Sequence, residues 1–84
     1  MKPKFIDLFG VPGGMSLGMK MAGLQPIAVL DNFKEGLETY GKNFPEVPKR
    51  NIVNADASEK NIVEIFQSRP GLRPSDVDVI VGGP

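Results

Sequence analysis

The 84-residue chain contains no cysteine. That excludes disulfides, thiolate metal sites and thiol catalysis within it. It contains no histidine either, which removes the commonest general base and metal ligand. No metal site is expected. An excess of charge of either sign is also missing, because ten Lys and Arg balance ten Asp and Glu. The chain therefore carries no electrostatic footprint for nucleic acid, and Lys49-Arg50 reads as a solvated loop pair. No apolar run approaches membrane-spanning length, and Met1-Lys2-Pro3-Lys4 leads into a short apolar stretch without a signal-peptide core. No membrane partner is expected, and a soluble cytoplasmic protein is the default reading. The length is short for one domain and too short for two, so only a modest fraction of the surface is buried.

Strand and helix candidates alternate along the chain. Phe5-Ile6-Asp7-Leu8-Phe9 is a short apolar run followed by a glycine cluster, the pattern of a buried strand that ends in a tight turn. From Gly14 to Leu24 a helix is predicted, with Met15, Leu17, Met19, Ala22 and Leu24 as its apolar side chains at mixed spacing. Pro26 to Asp31 reads as a second strand closed by a carboxylate. Phe33 to Asn43 reads as a second helix, capped by Asn32, with Phe33, Leu37 and Tyr40 on one face. Asn51 to Asn54 is a third strand. Ser58 opens a third helix, with Glu59 in its first turn and Ile62, Val63, Ile65 and Phe66 inward. Val77 to Val81 is a fourth strand, followed by Gly82-Gly83-Pro84. Alternation of this kind predicts an α/β fold, about four parallel strands with three helices and right-handed crossovers. Tyr40 and Phe44 read as core and loop anchors.

In such sheets ligands bind at the carboxyl ends of the strands. Those ends carry Phe9-Gly10 and Gly13-Gly14, then Asp31, then Asp56, then Gly82-Gly83-Pro84. Glycines without Cβ let a ligand approach the backbone, and the helix that follows offers free N–H groups. The same glycines also serve a tight turn without a ligand. The spacing from Gly10 to Gly13, Gly14 and Gly18 does not meet the dinucleotide pattern G-x-G-x-x-G, which argues against a nicotinamide dehydrogenase. Asp31 can accept both hydroxyls of a ribose, or it can cap the next helix. Asp56 reads as a ligand contact or as turn chemistry. Phe9 reads as core or as a surface for a bound base.

Asp7-Leu8-Phe9 with Gly13-Gly14-Met15-Ser16-Leu17-Gly18 resembles the first motif of DNA (cytosine-5) methyltransferases, D-L-F-x-G-x-G-G-x-S-x-G. Glu38-Thr39-Tyr40 with Asn43-Phe44-Pro45 is similar to that family's E-T-Y-x-x-N-F-P segment. Asp78 to Pro84 is similar to the approach to its G-G-P-P-C-Q motif. The matches fall in order and cover essentially the whole chain. The resemblance implies a partial Rossmann-like S-adenosylmethionine-dependent methyltransferase fold, with residues 1–84 as the N-terminal part of the cofactor-binding catalytic domain. It implies S-adenosylmethionine as cofactor, held by Phe9, Gly10, Gly13, Gly14, Asp31, Asn32, Asp56 and Pro84. Asp31 would hold the ribose hydroxyls, Asp56 the adenine amino group, and Pro84 would lie beside the methionyl end. It also implies a flipped-out cytosine attacked by a cysteine, in the setting of DNA methylation and restriction-modification.

The chain departs from the pattern in three places. Val11 stands where the first motif has glycine, Asp31 stands where the family has a Glu, and the chain ends at Pro84, before the proline and cysteine that follow in the family. This implies a fragment or subunit that is inactive alone and reaches DNA through the missing remainder. The alternative is a non-catalytic half of a split enzyme, completed by a chain carrying the cysteine. In either case the fourth strand has an edge that a fifth would cover, with unpaired backbone groups. Self-association through that edge, or a disordered terminus, is the expected outcome. Sedimentation and NMR check this, and a monodisperse monomer with an ordered, uncovered fourth strand would contradict it.

Overall fold

Parallel strands covered on both faces need apolar residues at successive positions, not at alternate ones. β1 (Lys4–Leu8) meets this with Phe5 and Ile6, and β2 (Gln25–Asp31) with Ala28, Val29 and Leu30, all buried. The computed structural model, which describes residues 2–8, 13–55, 62–69 and 71–82, places these two strands at the centre of a sheet. β3 (Ile52–Asn54) and β4 (Val79–Gly82) flank them, giving the order β3-β2-β1-β4 with every pairing parallel. The helices are α1 (Gly14–Met21), α2 (Lys34–Asn43) and α3 (Ile62–Gln67). The chain steps outward from β1 to β2 to β3, then crosses back to lay β4 on the other side of β1. That reversal is the topological switch point of an open α/β sheet.

Among the described residues two apolar clusters cover the sheet, and neighbouring residues of β2 point into different ones, as the pleat requires. Val29 packs with Leu37 and Tyr40 of α2 and with Phe44 and Val47, with Ile52 at the margin. Ala28 packs with Ile6 and Leu72, bordered by Leu8, Ile27, Phe66 of α3 and Val77. The register of β1 against β2 shifts once: Phe5 lies opposite Pro26, but Ile6 lies opposite Ala28. Ile27 is thus a bulged residue, and its carbonyl accepts a hydrogen bond from Asn51 Nδ2 at 3.0 Å, which satisfies an acceptor the ladder leaves over. At the opposite flank of β1, the Lys4 N–H donates to Asp78 Oδ2 (2.8 Å) and the Asp78 N–H donates to the Lys4 carbonyl (2.9 Å). This pair pins the entry of β4 to the start of β1.

The expected elements are present, with ends displaced by one to three residues where they fall among the described residues; α1 ends at Met21, three residues before Leu24. β1 and β2 each begin one residue earlier than expected. Asn51 belongs to a 3-10 turn, Lys49–Asn51, and β4 begins at Val79. One expectation about a face is corrected, and one face left open is settled. Phe33 does not join Leu37 and Tyr40 in the core; it is 55% exposed. Its backbone is extended (φ −104°, ψ 96°) and the helix begins one residue later, so the helical spacing counted from Phe33 does not apply to it. In α1, Met15, Leu17 and Met21 are exposed, and Ser16 is the buried residue. Apolar residues two apart lie 200° apart around a helix, so no single face could bury all of them. Ser58, Glu59 and the side chains of Ile62 and Val63 lie outside the described residues. No helix among the described residues is long and apolar enough to cross a membrane.

The central strands are expected to carry the stability. Leu30→Ala should cost about 2–5 kcal/mol, measured by urea unfolding. Ile80→Ala on the exposed side of β4 should stay within about 0.5 kcal/mol.

Candidate functional site

β1 and β2 end side by side. Leu8 is level with Leu30, so Asp31 stands one residue beyond the end of β1, level with Asn54 at the end of β3. On the other flank Leu8 is level with Gly82. The two backbones approach closely there: a Cβ on Gly82 would sit 3.1 Å from the Leu8 carbonyl oxygen, so a side chain would push β4 off the switch point. All four strand ends therefore lie on one edge, the edge predicted to hold ligand-binding residues.

The glycine turn enters this edge through Gly13, whose φ of +125° only glycine adopts without strain. Gly13 is the N-cap residue of α1 and makes no side-chain cap bond, and its carbonyl accepts the first helical bond from the Leu17 N–H at 2.9 Å. The first-turn N–H groups of α1 have no intrahelical partners. Nothing lies within 4 Å of a Cβ built on Gly14, so the backbone is open there. Beside the turn runs a groove of about 480 Å³ lined by Gly13, Gly14, Leu17, Asn43 and Phe44.

Asp31 is buried at 8% exposure, and its Oδ1 accepts from the N–H groups of Asn32 (2.7 Å) and Phe33 (3.2 Å). The carboxylate thus ties the turn into α2. Asn32 was expected to cap that helix. It is exposed, and the N-cap position belongs to Phe33, which makes no side-chain cap bond. The correction follows from the strand: Asp31 is held at its end, pointing along the next two amides, and it reaches them first. Phe9, Gly10, Asp56 and Pro84 lie outside the described residues.

Beneath the turn lies a group of residues that pattern reading did not assemble. Asp7 is 1% exposed and Ser16 is fully buried. Ser16 Oγ donates to Asp7 Oδ2 at 2.6 Å and lies 2.8 Å from Tyr40 Oη. A serine hydroxyl has one proton. With that proton on Asp7, Tyr40 must donate to Ser16, and the chain runs one way: Tyr40 to Ser16 to Asp7. A carboxylate inside an otherwise apolar strand was the available signal, since such a group needs a partner. Tyr40 also stacks on Phe44 with ring centroids 4.4 Å apart. Lys20 Nζ meets Glu46 Oε2 at 2.7 Å and sits 5.7 Å from the Phe44 ring centroid, tying the end of α1 to the loop after α2.

Burial pushes the Asp7 carboxyl above its ordinary range; the Ser16 hydrogen bond offsets part of this, and the nearby charge of Asp31 adds to the rise. Burial likewise pushes the Tyr40 phenol up to about 12, partly offset by Ser16 and reinforced by the negative charges of Asp7 and Glu46. The hydrogen bond from Lys20 holds Glu46 below its usual range.

An open parallel α/β sheet with a glycine turn at its switch-point edge is consistent with a partial Rossmann-like fold of the methyltransferase kind. The profile described as C-5 cytosine-specific DNA methylase matches residues 3–84, and the chain belongs to that family. It is 32% identical over 81 residues to the type II methyltransferase M.HgiGI of Herpetosiphon aurantiacus, covering 96% of this chain and 57% of that protein. It is 35% identical over 82 residues to M.HindV of Haemophilus influenzae, covering 96% and 24%. It is 35% identical over 79 residues to M.DdeI of Desulfomicrobium norvegicum, covering 94% and 17%. The chain thus spans about half of one of these relatives and a quarter or less of the other two. No solved structure matches it.

Tyr40 is the sole tyrosine and there is no tryptophan, so absorbance at the phenolate band reports Tyr40 alone. The native chain is expected to titrate near 12, against about 10 when unfolded in urea. A phenol raised on folding contributes stability that is fully present below its unfolded value and is lost as pH rises through the folded one. Its contribution should therefore fall between about pH 10 and 12. A native titration near 10 would contradict the buried placement.

Proposed function

We propose that residues 1–84 are the N-terminal, S-adenosylmethionine-binding part of the catalytic domain of a DNA (cytosine-5) methyltransferase. The observation that carries this is the pairing of an open glycine-capped helix start at Gly13-Gly14 with a buried carboxylate, Asp31, at the end of the adjacent strand. The type II methyltransferases to which the chain is similar support it.

The residues fit the cofactor in kind. The Gly13 and Gly14 backbone lets the methionyl end come close, and the α1 N–H groups suit its carboxylate. Asp31 sits where ribose hydroxyls could donate to it, with Asn32 alongside. Phe9, Gly10, Asp56 and Pro84 join the proposal on the strength of the motifs alone. When bound, the cofactor supplies an electrophilic methyl group on a sulfonium. The thiolate that attacks cytosine comes from another stretch of polypeptide, because this chain has no cysteine. DNA contact also belongs to that stretch, since this chain is electrically neutral. By itself the chain is inactive.

A second reading, an assembly half, is favoured by one feature. Among the described residues β4 pairs with β1 alone, and Ile80 on it is 64% exposed. A complementary chain, or a second copy of this one, would cover that edge.

Calorimetric titration with S-adenosylmethionine, with NAD as control, tests the proposal. Saturable binding of the first alone is expected. Asp31→Asn keeps an oxygen for the Asn32 and Phe33 amides and removes the charge, and it should weaken binding about tenfold or more. Binding of NAD instead would refute the assignment. Binding of neither would make this chain an assembly half whose site the remainder completes.

A further inference from the structure

Asp7 and Ser16 are nine residues apart and stand on either side of the glycine turn, one on β1 and one in α1. Their buried 2.6 Å bond pins the helix start to the strand. Tyr40 reaches the same hydroxyl from α2, twenty-four residues further along. The Tyr40 and Phe44 rings also wall the turn on its other side: a Cβ on Gly13 would lie 2.8 Å from Phe44 Cε2 and 3.3 Å from Tyr40 Cδ2. The backbone of Gly13 is thus held by a polar pin and by an aromatic wall, both of which involve α2.

We propose that the Tyr40–Ser16–Asp7 chain is a clamp that sets the Gly13-Gly14 turn for its ligand. Ser16 and Tyr40 are then positioning residues that act on binding without touching what is bound. Two physical arguments carry this. Glycine has the largest backbone freedom of any residue, and freedom left in the free protein must be lost on binding, which weakens affinity. Further, the buried position of α1 holds a serine bonded to both Asp7 and Tyr40, and an alanine there would leave those two buried groups without that partner. A hydrogen-bonded chain fixes direction and distance, whereas apolar packing tolerates sliding.

The cofactor arm of this proposal rests on the S-adenosylmethionine reading, and the experiment separates the two. Amide hydrogen exchange is measured by NMR on the full chain and on Tyr40→Phe, which keeps the ring stacked on Phe44 and removes only the hydroxyl. Ser16→Ala serves as a second variant. The Leu17 N–H, which bonds to the Gly13 carbonyl, reports the turn, and the Val29 N–H reports the sheet. Selective acceleration at Leu17 of about tenfold, with Val29 unchanged and S-adenosylmethionine affinity lowered about tenfold, is the expected result. Equal acceleration at both amides, or none at either, overturns the clamp and leaves the three residues as ordinary core. Selective loosening with wild-type affinity retained also overturns it. Should the wild-type chain bind no S-adenosylmethionine, the chain is the assembly half of the second reading, while the exchange result still decides whether the turn is clamped.

Discussion

The hydroxyl of Ser16 occupies the position on which the arrangement of this chain turns. Asp7 lies in the middle of an apolar strand, where a carboxylate without a partner would cost several kcal/mol. Ser16 supplies the donor, and Tyr40 in turn supplies one to Ser16. Three elements distant in sequence are thereby brought to one point: the central strand β1, the helix that follows the glycine turn, and the helix that follows Asp31. Because each hydroxyl has one proton, the order of donation is set, and so is the approach of each element. The aromatic pair Tyr40 and Phe44 closes over the turn and makes Gly13 obligatory on two counts, its positive φ and the absence of room for a Cβ.

Around that point the sheet follows from simpler constraints. Parallel strands bury both faces, so β1 and β2 are apolar at successive positions and sit at the centre. The outer strands are shorter, and β4 is only partly covered. The crossing from β3 back to β4 opens a crevice at the carboxyl ends of the strands. Glycines and a carboxylate collect there: Gly13 and Gly14 at the turn, Gly82 at the end of β4 and Asp31 at the end of β2. Under the proposed function, an 84-residue chain with equal numbers of positive and negative side chains suits the cofactor-binding part better than a nucleic-acid surface, which needs a concentration of positive charge. That division of labour agrees with membership of the C-5 cytosine-specific DNA methylase family and with coverage of only part of each relative's length.

Asp31 shows how one carboxylate can serve the scaffold and the proposed site together. Its Oδ1 accepts from the two amides that lead into α2, and this holds the side chain at the strand end, where the proposed ribose contact falls. Capping and ligand binding appeared as alternatives when the residue was considered alone. The structure shows the first, and under the proposed function it would preorganise the second.

The strands, their parallel sense and the glycine turn were legible in the sequence because each depends on local composition: short apolar runs, punctuating glycines, and a carboxylate closing Ile27-Ala28-Val29-Leu30-Asp31. Family membership was legible too, because Asp7-Leu8-Phe9, Gly13-Gly14 and Asn43-Phe44-Pro45 keep their order and spacing. What went astray depended on something a pattern does not contain. The inward place given to Phe33 assumed that the helix included it, yet the helix begins at Lys34 and an extended backbone turns Phe33 outward. The apolar side chains of α1, at mixed spacing, fixed no face, and the buried residue there is Ser16. The sequence by itself determined which segments are strands, which turn is rich in glycine and which carboxylate ends β2, since these follow from the neighbours of each residue in the chain. Only the tertiary structure decided that Asp7, Ser16 and Tyr40 meet, because a buried hydrogen bond between residues twenty-four positions apart exists only once the helices have docked on the sheet.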